Sequence, residues 1–235
     1  MANNFVDFPR TPHLYGREVY REDLQLSEED TTLFLSQNII IQEKIDATNI
    51  GVSLDRSNNP IFQKRGSKIS PEEIGSSKEF SKLAKWYEIH EKELQKVLGR
   101  DKILFGEWCY AQHTTYYDQL PSYFMAFDIF DKEMKQFISL RQFQHTLSPT
   151  QIQTVPVLYD GRITSREDLD QYLVQSSFGP DIREGLYLRI DSRTSNERRA
   201  KLVRPEFLDQ IDLHHRNKPL QLNKSLDDIE KLWSM

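Results

Sequence analysis

The chain has 235 residues and a formal net charge of -5, enough for one large domain with a real core and without the global basic excess of a dedicated nucleic-acid binder. Its one cysteine, Cys109, excludes an intrachain disulfide and a paired-cysteine zinc site, which favours a reducing setting. The first twelve residues lack an apolar signal core and no run approaches the roughly 18 apolar residues of a membrane span, so a soluble, cytoplasmic protein with no membrane partner is expected.

In chain order, residues 5–27 are mixed and punctuated by proline, an irregular lead-in with one short strand or helix and no legible function. Ser27 before Glu28, Glu29 and Asp30 is an N-cap ahead of an acidic first turn, and a short helix is expected over 28–36. Two apolar runs, 39–41 and 50–54, read as strands flanking a short polar insert that carries Lys44. Ser57, Asn58, Asn59 and Pro60 supply turn chemistry that pairs 51–54 with a strand over 61–63. The clearest helix spans 77–98, where Phe80, Leu83, Ala84, Tyr87, Leu94, Val97 and Leu98 share one stripe and Gly99 ends it.

Strands follow over 103–110, 123–130 and 136–139, in a meander whose second turn is Asp131, Lys132 and Glu133. Residues 113–118, from His113 to Asp118, form a polar-aromatic loop without periodicity, too polar for core. Helices are expected over 139–147 and 165–175, strands over 184–190 and 199–203, and one or two short helices after Pro205.

A lysine amine is a nucleophile only when neutral, so Lys44 needs desolvation or nearby cations to bring its pKa down from about 10.4. Alone it reads as a solvated lysine at a hairpin turn. Other segments set one charged or aromatic residue at an apolar strand end: Lys64-Arg65-Gly66, Phe105-Gly106-Glu107, Phe127-Asp128-Ile129, Glu184-Gly185, and the run from Arg199 through Lys201 to Arg204. Singly, Glu107 or Glu184 is an ordinary surface carboxylate and Phe127 a core ring. Their order and intervals are far more specific.

In that order the sequence resembles the covalent nucleotidyltransferase superfamily of ATP-dependent ligases and capping enzymes, most closely its RNA ligase branch, of the phage RNA ligase 2 type and its bacterial relatives. Glu43-Lys44-Ile45-Asp46-Ala47-Thr48-Asn49 is similar to the nucleophile motif Lys-x-Asp-Gly, with the branch's Glu before the lysine and Asn after it. Arg65, Glu107, Phe127, Glu184-Gly185 and Lys201 match the later motifs, and the likeness covers 39–207. Two departures stand out. The motif glycine is Ala47, strained if a positive φ is required there, and the last motif, ordinarily Lys-x-Lys, offers either Arg199 or Arg204 as the partner of Lys201.

The resemblance implies an α+β nucleotidyltransferase domain over 1–207, with antiparallel sheets around an ATP cleft and outer helices, followed by a short helical tail over 208–235. It implies three steps. Lys44 takes AMP from ATP, AMP passes to a 5′-phosphate, and a 3′-hydroxyl displaces it to join RNA ends, with Mg2+ or Mn2+ as metal. The implied roles are Lys44 as nucleophile, Lys201 with Arg199 or Arg204 as phosphate-binding and pKa-lowering cations, and Phe127 as a stack on adenine. Glu107 would meet a ribose hydroxyl, Arg65 ribose or phosphate, and Glu184 the metal; Asn49 belongs to the nucleophile motif, while Gln42 and Glu43 sit where the family reads adenine.

A DNA nick ligase, a capping guanylyltransferase, and a noncatalytic nucleotide- or RNA-binding relative motivated by Ala47 are the alternatives. No P-loop or dinucleotide fingerprint is present. His214-His215 reads as a polar helix face and Cys109 as core. The tail from Leu208 is too short for the C-terminal module of the wider superfamily. It is apolar enough to pack back, with a helix start at Ser225, so substrate would be held by the catalytic face, including 113–118, or by a separate end-healing or RNA-binding protein.

Overall fold

The computed structural model describes residues 5–15, 24–208 and 220–226. Among them, nine strands build two antiparallel sheets. Strands β1 (Asn38–Lys44), β7 (Val157–Arg162), β8 (Gly185–Asp191) and β9 (Asn196–Val203) form one, in the order β7-β1-β8-β9. The second contains β2 (Thr48–Leu54), β3 (Pro60–Gln63), β4 (Lys102–Trp108), β5 (Phe124–Asp131) and β6 (Gln136–Phe137), in the order β3-β2-β4-β5-β6. Helices α1 (Glu28–Leu35), α2 (Pro71–Ser76), α3 (Leu83–Leu98), α4 (Leu140–Leu147) and α5 (Arg166–Asp170) complete the α+β architecture expected from the sequence. No helix among the described residues is long and apolar enough to cross a membrane.

Alternation along the first sheet divides its side chains. Ile39, Ile41, Leu186, Leu188, Ala200 and Leu202 point outward into a core shared with Leu14, Phe34, Ile163 and Leu169. The opposite face carries Gln42, Lys44, Tyr187 and Lys201 toward the second sheet. That sheet packs its apolar residues with Trp86, Leu94 and Leu98 of α3 in the larger core.

Several boundaries differ from the sequence reading. Lys44 does not sit in a loop insert: β1 continues through Gln42 and Glu43, which ladder with Tyr187 and Leu186 of β8. The two apolar runs flanking it are not a hairpin, since β1 and β2 belong to different sheets and residues 45–47 cross between them. The hairpin of β2 and β3 is present, with Asn58 at φ 64° in its turn and Asp55 Oδ1 accepting from the amides of Ser57 and Asn59.

The helix expected from residue 77 begins only at Leu83. Trp108 Nε1 donates to the Glu79 carbonyl at 2.7 Å and the Glu79 carboxylate accepts from Thr48, so the preceding segment is held by sheet contacts instead. Helix α5 stops at Asp170, short of the expected 175, and Ser176 and Ser177 hydrogen-bond to Glu43. Strand β7 escapes periodicity because it is a half-exposed edge containing Tyr159-Asp160-Gly161, which reads as turn chemistry. The loop over 113–118 is not uniformly solvated, as Thr115 is 3% and Tyr117 0% exposed. After Pro205 the chain is helical to Leu208; His214-His215 and residues 227–228 of the expected tail helix lie outside the described residues.

Candidate active site

A cleft of about 190 Å³ lies between the sheets, lined from the first by Gln42, Glu43, Lys44, Tyr187 and Lys201 and from the second by Asn49, Glu107 and Phe127. Arg65, just beyond β3, joins them, as do Phe8, Thr11, Ile45 and Val155. A second hollow of about 320 Å³ shares Lys44, Asn49, Arg65 and Glu107 and adds Asp46, Thr48, Lys64 and Glu184. Lys44 stands where the two meet.

Its position follows from backbone pairing: Lys44 is the last residue of β1, opposite Gly185, beside the β8 residue next to Glu184. That register requires glycine, because a Cβ at position 185 would come 2.1 Å from the Leu202 carbonyl oxygen. Lys44 Nζ lies 2.5 Å from Glu184 Oε1. Burial alone pulls the Lys44 pKa down, but Glu184 first, then Glu107 and Asp46, outweigh it and the net displacement is upward. The expectation that neighbouring cations depress this lysine is therefore reversed in the protein alone, because carboxylates are its nearest charges. Those carboxylates are themselves perturbed. Desolvation carries Glu107 up to about 8 and Glu184 up to about 7, against the opposing pull of Lys44 on each.

The cleft also gathers unpaired polar atoms. Gln42 Oε1, Asn49 Oδ1, Glu107 Oε2 and Glu184 Oε2 are buried with no hydrogen-bond partner, a costly condition that a bound polar ligand or hard cation would relieve. Gln42 Nε2 donates to the Val155 carbonyl at 3.3 Å, and Asn49 Nδ2 to Glu107 Oε1 at 3.4 Å, leaving their other atoms toward the space. Phe127 and Tyr187 both line it, as neighbouring rings tilted at 51° with centroids 6.0 Å apart.

Not every candidate faces the cleft with its side chain. Glu43 contributes backbone, since its carboxylate accepts from Ser176 Oγ at 2.5 Å and the Ser177 amide at 2.9 Å. Arg199 is committed behind the cleft, 3.4 Å from Asp128 and with its guanidinium 4.0 Å over the Phe137 ring. Arg204 donates to the carbonyls of Arg183 and Ile182. Of the three cations of the last motif, only Lys201 lines the cleft. Ala47 has no positive φ, so alanine in the glycine position is unstrained.

Sequence reasoning missed Phe8, Thr11, Val155 and Tyr187. Tyr187 was readable as the inward residue next in alternation after Gly185; the other three sit in segments without periodicity. It also missed the use of Asp46, whose Oδ2 accepts from the amides of Thr114 and Thr115 at 2.7 and 2.8 Å, while its own amide donates to Tyr117 Oη at 2.9 Å.

Among known proteins, the family model for RNA ligase matches residues 37–203. No curated protein matches in sequence. Solved structures similar to this chain include a mutant Naegleria gruberi RNA ligase with ATP and Mn (TM-score 0.60, 15% identity, 90% of this chain and 60% of that one). A mutant of it with AMP and Mn gives a TM-score of 0.59 at 14% identity over 89% and 59% of the two chains. The enzyme with PPi gives 0.56 at 17% identity over 90% and 63%. The present chain thus spans roughly 60% of the length of those structures.

Proposed function

Because the chain belongs to the RNA ligase family, we propose that it is an ATP-dependent RNA ligase working through a lysyl-AMP intermediate, and that its substrates are RNA 5′-phosphate and 3′-hydroxyl ends. The observation that carries this is Lys44, placed at the junction of two contiguous hollows, 2.5 Å from Glu184 and beside buried acceptors without partners.

In the first step Lys44 Nζ loses a proton and forms a bond to the α-phosphorus of ATP as the bond to pyrophosphate breaks. Phe127 and Tyr187 offer apolar faces to the base, and Gln42 Oε1 offers an acceptor suited to an amino group. Lys201 and Arg65 are the cations available to phosphoryl oxygens, on which charge builds during transfer. AMP then moves to an RNA 5′-phosphate and a 3′-hydroxyl displaces it.

Glu184 and Glu107, carboxylates with unpaired oxygens, suit a hard divalent cation such as Mg2+ or Mn2+. That fits a cation held by one or two carboxylates together with substrate phosphates, supplying charge neutralisation at phosphorus. A negative charge withdrawn from Glu184 in this way would let burial lower the Lys44 pKa.

The hollow containing Thr48, Lys64 and Arg65, next to the 113–118 loop, is the face on which an RNA end would rest, aided where grip is short by a separate end-healing or RNA-binding protein. A lone buried cysteine fits a cytoplasmic setting. Incubation with ATP and Mg2+ or Mn2+ is expected to add one AMP to the intact mass, on Lys44 and absent from Lys44→Ala. Parallel sealing of nicked RNA and DNA duplexes, with GTP beside ATP, should show RNA joining from ATP. A mass unchanged at every metal and pH overturns the ligase reading, and exclusive DNA sealing overturns the substrate.

A further inference from the structure

The lead-in over residues 5–14 spans from one sheet to the other beside the cleft. At its start, Gln63 Nε2 of β3 donates to the Val6 carbonyl at 2.7 Å, and the Phe8 ring packs against Phe105 and Phe127 at 5.1 and 5.3 Å. At its end it adds to the edge of β9 at a single residue: the Lys201 amide donates to the Pro12 carbonyl, and the Leu14 amide to the Lys201 carbonyl, both at 2.8 Å. Lys201 is thereby bracketed on both backbone polar groups by a segment far away in sequence.

Between these anchors lies Thr11, 8% exposed and in the wall of the cleft. No described residue gives its hydroxyl a hydrogen bond. Thr11 lines the cleft one residue from the carbonyl that fixes Lys201, so its hydroxyl belongs to the wall that a ligand would meet. Lys201 is the cation of this part of the wall, so a donor beside it would meet the same phosphate oxygens that Lys201 binds in the reading above.

We propose that this lead-in is the third wall of the nucleotide site and that the Thr11 hydroxyl donates a hydrogen bond to a triphosphate oxygen of ATP next to Lys201. The inference rests on the ATP-dependent reading above. It adds a nucleotide-binding residue and gives the segment a positioning role toward Lys201.

The test compares Thr11→Val, which keeps the shape and removes the hydroxyl, with Thr11→Ser, which keeps the hydroxyl. A hydrogen bond to a charged oxygen predicts an ATP concentration for half-maximal self-adenylation raised about tenfold in T11V and within about twofold of wild type in T11S. The factor should be the same with dATP, and the unfolding temperature unchanged. A wild-type half-saturation in T11V, a penalty shared by T11S, or one that disappears with dATP overturns the assignment. ATP affinity read by calorimetry on the same proteins separates the two readings: a wild-type chain that binds ATP without taking AMP fails as a ligase yet still tests Thr11. A wild-type chain that takes AMP just as T11V does sinks only the Thr11 contact.

Discussion

Lys44 and Glu184 form a direct ion pair, Nζ to Oε1 at 2.5 Å, between the last residue of β1 and the residue preceding β8. The pair couples amine and carboxylate so that neither has its ordinary acidity. Glu184→Gln removes the charge that holds Lys44 protonated but also an acceptor suited to the metal. The second loss acts on transition-state charge, so the net expectation is a fall of about 10²-fold or more in the rate of AMP transfer. Single-turnover measurement of the covalent adduct across pH decides it; a variant faster than wild type at neutral pH would show that Lys44 deprotonation alone limits the step.

Stability should depend on pH through Glu107. Its folded pKa, about 8, is above its ordinary value of 4.5, so between these values the folded chain binds more protons than the unfolded one and stability falls as pH rises. The melting temperature of the ligand-free protein should decline from pH 5 to pH 8, and Glu107→Gln should reduce the decline to the part that Glu184, raised to about 7, contributes. A melting curve independent of pH over that range contradicts the burial of this carboxylate as an acid.

Gln42 Oε1 is a buried acceptor without a partner in the cleft between the sheets. Gln42→Leu should raise the ATP concentration needed for adenylation about tenfold, the cost of one lost hydrogen bond, and leave use of inosine triphosphate nearly unchanged, since that base presents no amino donor. Equal losses for both nucleotides would place the amide away from the base.

Asn223, 2% exposed, holds the loop that holds Asp46. Its side chain accepts from the Tyr117 amide at 2.9 Å and donates to the carbonyls of Cys109 and Ala111 at 2.8 and 3.2 Å. Asn223→Ala orphans three buried backbone groups and should cost about 2–4 kcal/mol of stability by chemical denaturation. Exchange protection of the Thr114 and Thr115 amides should fall with it.

Two small-residue positions should respond to very different extents. Gly185→Ala drives a Cβ into the Leu202 carbonyl, an overpacking by backbone that should destabilise by roughly 3 kcal/mol or more. Ala47→Gly relieves nothing, since Ala47 has no positive φ, and should lower stability by at most about 1 kcal/mol while self-adenylation persists. A large gain of activity in A47G would restore the idea that alanine impairs this site.

Much of the candidate site was legible before any folding was considered. Lys44, Glu107, Phe127, Glu184 and Lys201 could be singled out because the order and interval of their segments resemble the motifs of the RNA ligase branch, and the strands that carry or adjoin them obey an alternation set by backbone geometry alone. The turn at Asn58 and the stop at Gly99 were equally local, fixed by what those residues do at positive φ.

What the sequence could not hold is which partner each strand and cation chooses. The split of β1 and β2 between two sheets, the withdrawal of Arg199 to Asp128 and of Arg204 to two carbonyls, and the reversal of the Lys44 shift by Glu184 depend on contacts between residues far apart in the chain. The same is true of Phe8 and Thr11, whose segment lacks periodicity because long-range packing and single backbone bonds hold it in place. Local pattern fixes which way a side chain faces on its own element; only the tertiary structure decides what lies opposite, and therefore its charge, its solvation and its use.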